Sequence, residues 1–462
     1  MAAKPNPIVI QPASGWSYNN ISYALDDPDT NYDGNSYYQG NLSSPYNDPL
    51  HILGIAYYSN YRVIAVKGTT ASDSDDWYLW HDGETYSVTG GANIRTNGKT
   101  GVTLNFDSSG GKLYFTSNDT ITVSTTGSGI VQVEGTSGTI NTTSASKFYL
   151  SAGSNITITG LVSGNNEITL SGNNHITTGG GDDHITVNGS SNTVNAGDGT
   201  NVITVSGGSN KITTGADSDD ITIDGASNTV DAGNGANVIT VSGNTNKITT
   251  GTDADHITID GASNTVNAGN GDNVITVHGG SNKITTGTDA DNMTIDGASN
   301  TVNAGNGDNQ ITVSGGDHNS IVSGNGKDTI SMTSSHSTVK SGDGSDSITV
   351  SGSDNKVDAG NGDNEVTISG NQNSITSGTG KDTISISSGD SITVNSGAGD
   401  DNITASGNSD IIDAGDGNNE ITIGSGDHNS IVSGSGKDTI SMTSSHSTVK
   451  SGDGSDSITV SG

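Results

Sequence analysis

The sequence contains no cysteine, few aromatic residues and few basic residues, and each shortage excludes a class of protein. Without cysteine, a disulfide scaffold and thiolate metal sites are excluded. Only 28% of the 462 residues are hydrophobic and 4% are aromatic, a composition that usually indicates disorder unless the apolar residues are periodic. No stretch is apolar enough to span a membrane, and Met1 to Pro12 lacks the apolar core of a cleavable signal peptide.

Basic residues are outnumbered by acidic ones, 16 to 50, which gives a formal net charge of -34. This charge argues against nucleic acid and against anionic membrane surfaces as partners. It favours a cationic partner, and metal ions are the first candidate. The alternative interpretation is that the charge only keeps the protein soluble.

Composition divides the chain into a head and a body. All six prolines lie before residue 50, and no aromatic residue follows Tyr149. Residues 1–118 contain short alternating runs such as 61–66 and 111–115, which predict a small β-rich head. Residues 119–175 alternate like strands at irregular spacing, and we expect them to be starter coils that cap the body.

The body, residues 176–462, repeats with a period of 18. Apolar pairs begin coils at 176, 194, 212, 230, 248, 266, 284, 302, 321, 339, 357, 375, 394, 412, 431 and 449. In one coil Ile248, Ile257 and Ile259 face one side under strand alternation, whereas Thr249 and Thr258 face the other. Two short strands and two polar turns per coil predict an all-β fold, a parallel β-roll (β-solenoid) whose thin core is buried only by stacking.

One turn of each coil is close to Gly-Gly-x-Gly-x-Asp followed by a large apolar residue two positions later. Thr178–Asp183 before Ile185 and Ser323–Asp328 before Ile330 are good matches. The pattern resembles the RTX (hemolysin-type) calcium-binding repeat family. The resemblance implies that calcium binds at these turns, through backbone carbonyls that the glycines turn inward and through the carboxylate at position six.

We number these turn positions one to six and call this side of the coil the aspartate edge. At position six the predicted ligands are Asp183, Asp219, Asp255, Asp291, Asp328, Asp346, Asp382, Asp401, Asp438 and Asp456. Asparagine takes that position at Asn201, Asn237, Asn273, Asn309, Asn364 and Asn419, where its neutral oxygen predicts weaker binding. Position four is Asp217, Asp253 and Asp289 in three coils, each predicted either to add a ligand or to spoil the turn. The alternative is that these residues are turn formers that bind no metal.

The opposite side of the coil, which we call the asparagine edge, has turns that end in asparagine. These are Asn192, Asn210, Asn228, Asn246, Asn264, Asn282 and Asn300, at 18-residue intervals. The spacing predicts a ladder of stacked amides, so calcium is expected mainly on the aspartate edge. His256, His278 and His318 lack a metal-ligand spacing and are expected to face solvent. The outward threonine rows reflect strand propensity, with binding of ice or another ordered surface as the alternative.

The function that these features favour is structural. The sequence lacks His-Glu-x-x-His and Gly-x-Ser-x-Gly motifs, so no enzyme is expected. We expect a secreted bacterial protein, a rod that folds on calcium and assembles head to tail with itself into an extracellular filament, surface layer or biofilm matrix. The end of the sequence in mid-coil favours such stacking. Surface polysaccharide is a further candidate partner. Family resemblance implies type I export, although no clear signal is visible. Without calcium, the body is expected to be largely unfolded.

The alternative function is an adhesin with a carbohydrate- or host-binding head. Trp16, Trp77 and Trp80 would then stack on sugar, whereas the competing interpretation is that they form the core of the head.

Overall fold

The structure is a computed structural model that describes residues 164–461 without a break. Before residue 164 it describes only residues 11–12, 31–32, 37–39, 52–53, 76–78, 85–88, 93–95, 100–106, 111–115, 119–125, 130–135, 138–142 and 147–159. Every regular element in these ranges is a β-strand. The chain divides into two compact units, 1–229 and 230–462.

In the first unit most strands form two rows in which consecutive strands of a row are parallel. One row contains Thr85–Val88, Thr100–Phe106, Asp119–Thr125, Gly138–Thr142, Ile156–Thr159, His175–Thr177, Thr193–Gly197 and Lys211–Thr214. The other contains Asp76–Tyr78, Asn93–Arg95, Gly111–Phe115, Ile130–Gly135, Lys147–Ser154, Glu167–Gly172, His184–Val187, Val202–Val205 and Asp220–Ile223. The strand Thr229–Asp231 lies at the boundary of the two units.

The second unit repeats this arrangement. One row contains Lys247–Thr249, Thr265–Gly269, Lys283–Thr286, Thr301–Asn303, Ser320–Val322, Thr338–Lys340, Lys356–Gly360, Ser374–Ser377, Thr393–Asn395, Ile411–Asp413, Ser430–Val432 and Thr448–Lys450. The other contains Val238–Val241, His256–Ile259, Val274–Val277, Asn292–Ile295, Gln310–Val313, Thr329–Met332, Ser347–Val350, Glu365–Ile368, Thr383–Ile386, Asn402–Ala405, Glu420–Ile423, Thr439–Met442 and Ser457–Val460. Each unit is thus a parallel β-solenoid, which confirms the predicted fold class.

The register of the strands follows the period of the sequence. Ile248 pairs with Val266, and Ile257 with Ile275, so equivalent residues of consecutive coils stand side by side. The three predicted steps of 19 are also present, because Val302 pairs with Ile321, 375 with 394 and 412 with 431. Each additional residue is absorbed in a turn, where an insertion does not reverse the faces of the strands.

The core is a stripe of aliphatic side chains between the two rows. Ile248, Ile257 and Ile259 are fully buried, and the strand between 256 and 259 alternates exposed, buried, half-buried and buried. Thr249 and Thr258 are half-buried on the outward face. One coil cannot bury this stripe, so the core exists only because coils stack.

Parallel pairing is already present within the segment assigned to the head. Asp76–Tyr78 pairs with Asn93–Arg95, and Asn93–Arg95 pairs with Gly111–Phe115, at steps of 17 and 19 residues. A small antiparallel sheet is formed by Asn31–Tyr32, Tyr37–Gln39 and Ile52–Leu53. The boundaries at 118 and 175 stay predictions. The adhesin interpretation also stays a prediction, because the side chains of Trp16, Trp77 and Trp80 lie outside the described residues.

Candidate metal centre

The position-six side chains of the aspartate edge form a buried file in each unit. From Asp183 to Asp438 each is at most 2% exposed, and Asp456 is half-buried. Within each unit, the Oδ1 atom accepts a hydrogen bond from the backbone N–H of the equivalent residue one coil earlier. The distance is 3.0 Å from Asp255 N to Asn273, and 2.9 Å from Asn273 N to Asp291. The sequence predicted this position as a ligand position, but it did not predict that one oxygen already binds the backbone.

Glycine at positions two and four allows the turns to stack in contact. Gly342 and Gly344 have φ values of 98° and 158°. A Cβ atom on Gly344 would lie 1.7 Å from the carbonyl oxygen of Gly326 in the preceding coil. The glycines therefore bring backbone carbonyls of successive coils close to the position-six side chains.

Asparagine at position six satisfies both of its polar atoms. The Nδ2 atom of Asn237 donates to Gly235 O at 2.8 Å and to Asp255 Oδ1 at 3.0 Å. The same bond to the carbonyl of position four is made by Asn201, Asn273, Asn309, Asn364 and Asn419. These residues therefore link neighbouring coils through Oδ1 and satisfy a carbonyl of their own turn through Nδ2, and their role as cation ligands stays a prediction.

Aspartate at position six has no such donor of its own. The Oδ2 atom is buried without a hydrogen-bond partner in Asp183, Asp255, Asp291, Asp328, Asp346, Asp401 and Asp438. Burial raises the pKa of Asp255 and Asp328, and nearby hydroxyl and amide donors offset part of the rise. A buried acceptor without a donor is costly, so these atoms indicate a missing cation or proton.

The residue at position one of the turn varies together with the residue at position six, a relation that the sequence predictions above did not include. Each coil with Asp at position six has Thr or Ser at position one, and each coil with Asn has Ala. The Thr250 hydroxyl donates to Ala268 O at 2.6 Å and also lies beside Asp255, where it lowers the carboxyl pKa against the effect of burial. In one coil the Ser377 hydroxyl contacts Asp382 Oδ2 at 2.5 Å. The pairing was readable in the repeats themselves, by aligning the coils and comparing positions one and six.

The aspartates at position four neither spoil the turn nor join the buried file. Asp217, Asp253 and Asp289 are exposed, and each accepts a hydrogen bond from the N–H of glycine one coil earlier, at 2.8, 2.9 and 2.8 Å. In other coils a backbone carbonyl accepts that bond, as in Gly326 N to Asp343 O. The side chain thus replaces a backbone acceptor.

The donor set fits calcium rather than a softer metal. Among the described residues, no group of three or more His, Cys, Asp or Glu side chains could hold a metal ion. The file instead offers hard oxygen atoms, one carboxylate per Asp coil together with nearby turn carbonyls, and calcium is bound by such ligands. The buried Oδ2 atoms are the ones that such an ion would neutralise. The assignment of individual ligands stays a prediction.

The asparagine edge carries the predicted ladder. Asn264 N donates to Asn282 Oδ1 at 2.7 Å, and Asn282 N donates to Asn300 Oδ1 at 2.8 Å. The Asn282 amide also donates to Gly261 O at 3.0 Å, whereas the amide nitrogens of Asn264 and Asn300 are buried without an acceptor. Asp410 is a buried carboxylate on this edge, at 1% exposure, and burial raises its pKa.

The histidines from His175 onward lie at the surface, as predicted for His256, His278 and His318. His278 contacts Asp260 at 2.6 Å, and the rings of His318 and His336 stack at 5.2 Å in turns of consecutive coils.

Comparison with known families finds the calcium-binding repeat over six turns of the aspartate edge, those that end at 183, 201, 273, 291, 401 and 419. The chain is similar to the RTX calcium-binding nonapeptide repeat over residues 168–203, 259–293 and 393–421. It is also similar to a family described as a protein of unknown function (DUF3060) over residues 205–254 and 335–391. Among curated proteins and solved structures, none gives a significant match. Within the described residues, no helix is long and apolar enough to cross a membrane.

Proposed function

We propose that this chain, which carries RTX calcium-binding nonapeptide repeats in a parallel β-solenoid, is a secreted bacterial structural protein that calcium folds into an assembling unit. The repeats fit a secreted calcium-binding protein. The finer proposal is that the folded coils build an extracellular filament, surface layer or biofilm matrix, with further copies of the chain as the main partner and surface polysaccharide as a second.

The buried carboxylates of the aspartate edge carry the proposal. In seven of them the Oδ2 atom has no hydrogen-bond partner, and the chain has a net charge of -34. Where calcium is scarce, these carboxylates repel one another and oppose folding. Where calcium is abundant, as outside a cell, the ions neutralise the edge and binding free energy becomes folding free energy. The chain would therefore be exported unfolded and would fold at its destination.

The repetitive body supports a structural role rather than catalysis. Residues 316–352 recur at 426–462 with Ser435 in place of Asn325 as the single difference. Copying whole coils changes the length of a stacked array and leaves its cross-section unchanged, because each coil contacts mainly its neighbours. A tolerance for changes of length suits a building unit, whereas a catalytic constellation needs fixed distances.

Electron microscopy and sedimentation of the full chain, with calcium and with chelator, test the proposal. We expect ordered filaments or sheets with calcium, and slowly sedimenting, unassembled monomers with chelator. The matched control is the same buffer with magnesium in place of calcium, since magnesium dehydrates reluctantly. Monodisperse folded monomers at high concentration with calcium would refute assembly while leaving calcium binding intact.

A further inference from the structure

The order of Asp and Asn along the aspartate edge differs between two stretches of the second unit. From Asn237 to Asn309 the two residues alternate from coil to coil. From 328 onward two Asp coils are followed by one Asn coil. This order creates three steps at which aspartate follows aspartate directly, namely Asp328–Asp346, Asp382–Asp401 and Asp438–Asp456.

In the alternating stretch an amide nitrogen lies among the oxygens that a cation would use. Asn237 Nδ2 lies 2.8 Å from Gly235 O and 3.0 Å from Asp255 Oδ1. An N–H group in this place satisfies a carbonyl and one oxygen of a carboxylate, and its hydrogens exclude a cation from between them. Asn273 repeats the bond to the position-four carbonyl, at 2.9 Å from Gly271 O. The Oδ2 atoms of Asp255 and Asp291 also lack a partner, but each of these carboxylates has an asparagine, and not a second carboxylate, in the adjacent coils. The asparagine coils therefore separate the charges and replace some of the bonds that an ion would make.

At the Asp–Asp steps no amide separates the two carboxylates. Asp328 N donates to Asp346 Oδ1 at 2.9 Å, and the Oδ2 atoms of both residues are buried without a partner. The Asp328 carboxylate adds to the effect of burial in raising the pKa of Asp346. Asp382 has the same effect on Asp401. Two carboxylates carry the charge of one divalent cation, so a calcium ion would neutralise such a step completely.

We propose that the three Asp–Asp steps are the sites at which folding requires calcium, whereas the alternating coils hold together through asparagine amides without it. The proposal rests on the proposed calcium-dependent function and makes it specific to residues 323–456. It also revises the expectation that the whole body unfolds without calcium, because the coils from 232 to 309 carry their own neutral cross-links.

Hydrogen exchange of the full chain, read by mass spectrometry with calcium and with chelator, tests the proposal coil by coil. We expect peptides from 323–456 to lose protection in chelator and peptides from 237–309 to keep most of it. A calcium titration should give about three tight sites in this stretch. Uniform loss of protection in both stretches, or a site at every Asp coil, would overturn the inference but leave calcium-dependent folding standing. No calcium binding at all would refute the proposed function as well.

Paired substitutions make the test specific to a step. S341A/D346N turns one Asp coil into an Asn coil and is expected to remove one tight site of three and to increase protection in chelator. Asp343→Asn is the matched control, because it removes the same charge from an exposed position of the same turn and should leave all three sites.

The reverse change, A268T/N273D, makes Asp follow Asp twice in the alternating stretch and should make those coils calcium-dependent. An unchanged stoichiometry in S341A/D346N, or persisting protection of A268T/N273D in chelator, would contradict the assignment.

Discussion

The two edges of the coil use different side chains to bind the backbone N–H groups that are buried at their turns. Both place a buried polar side chain where the chain turns, and on both its Oδ1 atom accepts the N–H of the preceding coil, as in Asn264–Asn282 and Asp328–Asp346. The asparagine edge uses an amide, which carries donors as well as an acceptor. The aspartate edge mostly uses a carboxylate, which only accepts, so something else must supply the positive partner.

The repulsion between neighbouring carboxylates is larger than the free energy of the hydrogen bond that links them. Two carboxylates one coil apart, at about 4.8 Å, repel by about 3.5 kcal/mol at an effective dielectric constant of about 20. A typical buried hydrogen bond contributes about 1 kcal/mol net. The single bond that links Asp328 N to Asp346 Oδ1 therefore does not offset the repulsion, whereas an Asn–Asn step has no repulsion to offset. The asparagine edge is therefore stable without a cation, whereas the stability of the aspartate edge depends on one.

The largest expected effect comes from protons acting on the aspartate edge in chelator. Burial raises the pKa of Asp255, Asp291, Asp328 and Asp346 above the unfolded value, so the folded chain binds more protons than the unfolded chain between the two values. Stability without calcium should therefore rise as the pH falls from neutral toward the unfolded pKa of these carboxyl groups. Urea denaturation followed by circular dichroism measures it.

With saturating calcium the trend should reverse, because the ion requires ionised carboxylates. A chelated protein whose stability falls on acidification would contradict the picture of buried, unneutralised carboxylates.

Gly362→Ala should break the aspartate edge at one coil. Gly362 has a φ of 117°, and a Cβ would lie 1.7 Å from Gly344 O, so backbone strain and overlap act together. We expect a loss of about 3 kcal/mol or more, measured by urea denaturation with calcium. Gly424→Ala is the control, because its nearest contact would be an ordinary 3.6 Å to Ala405 O. Equal losses in the two variants would show that coil contact is not the cause.

Asn282→Ala should weaken the asparagine edge by about 2 to 3 kcal/mol, since it leaves the N–H of Asn264 and the carbonyl of Gly261 without partners. The loss should be the same with calcium and with chelator, because this edge uses no cation. Exposed Lys283→Ala controls for the substitution itself. A loss that calcium largely reverses would mean that the two edges are not energetically distinct.

Asp410→Asn should give the smallest effect, and a stabilising one. Asp410 places a buried carboxylate on the amide edge, its Oδ2 has no donor, and burial raises its pKa. An amide there should add about 1 kcal/mol at pH 7 and less at low pH, where the carboxyl is protonated. Thermal denaturation at both pH values measures it. Destabilisation at pH 7 would indicate instead that Asp410 binds a cation.

The repeat was predictable from the sequence because, in a solenoid, residues one period apart along the chain lie side by side in neighbouring coils. The step of 18 and the three steps of 19 place equivalent residues side by side, so Val302 pairs with Ile321 as the spacing requires. The asparagine ladder follows from the same register. Asp217, Asp253 and Asp289 were left open, since whether a turn carboxylate binds an ion or a backbone N–H depends on the coil before it.

By itself, then, the sequence determined the coil, the two edges and the class of ion, since these depend on residues a fixed distance apart along the chain. Only the tertiary structure decided which oxygens are satisfied. It showed that Oδ1 of Asp346 binds the backbone while Oδ2 does not, and that the Asn237 amide lies beside Asp255 Oδ1. Such contacts join atoms of neighbouring coils, and their geometry exists only after the coils have stacked.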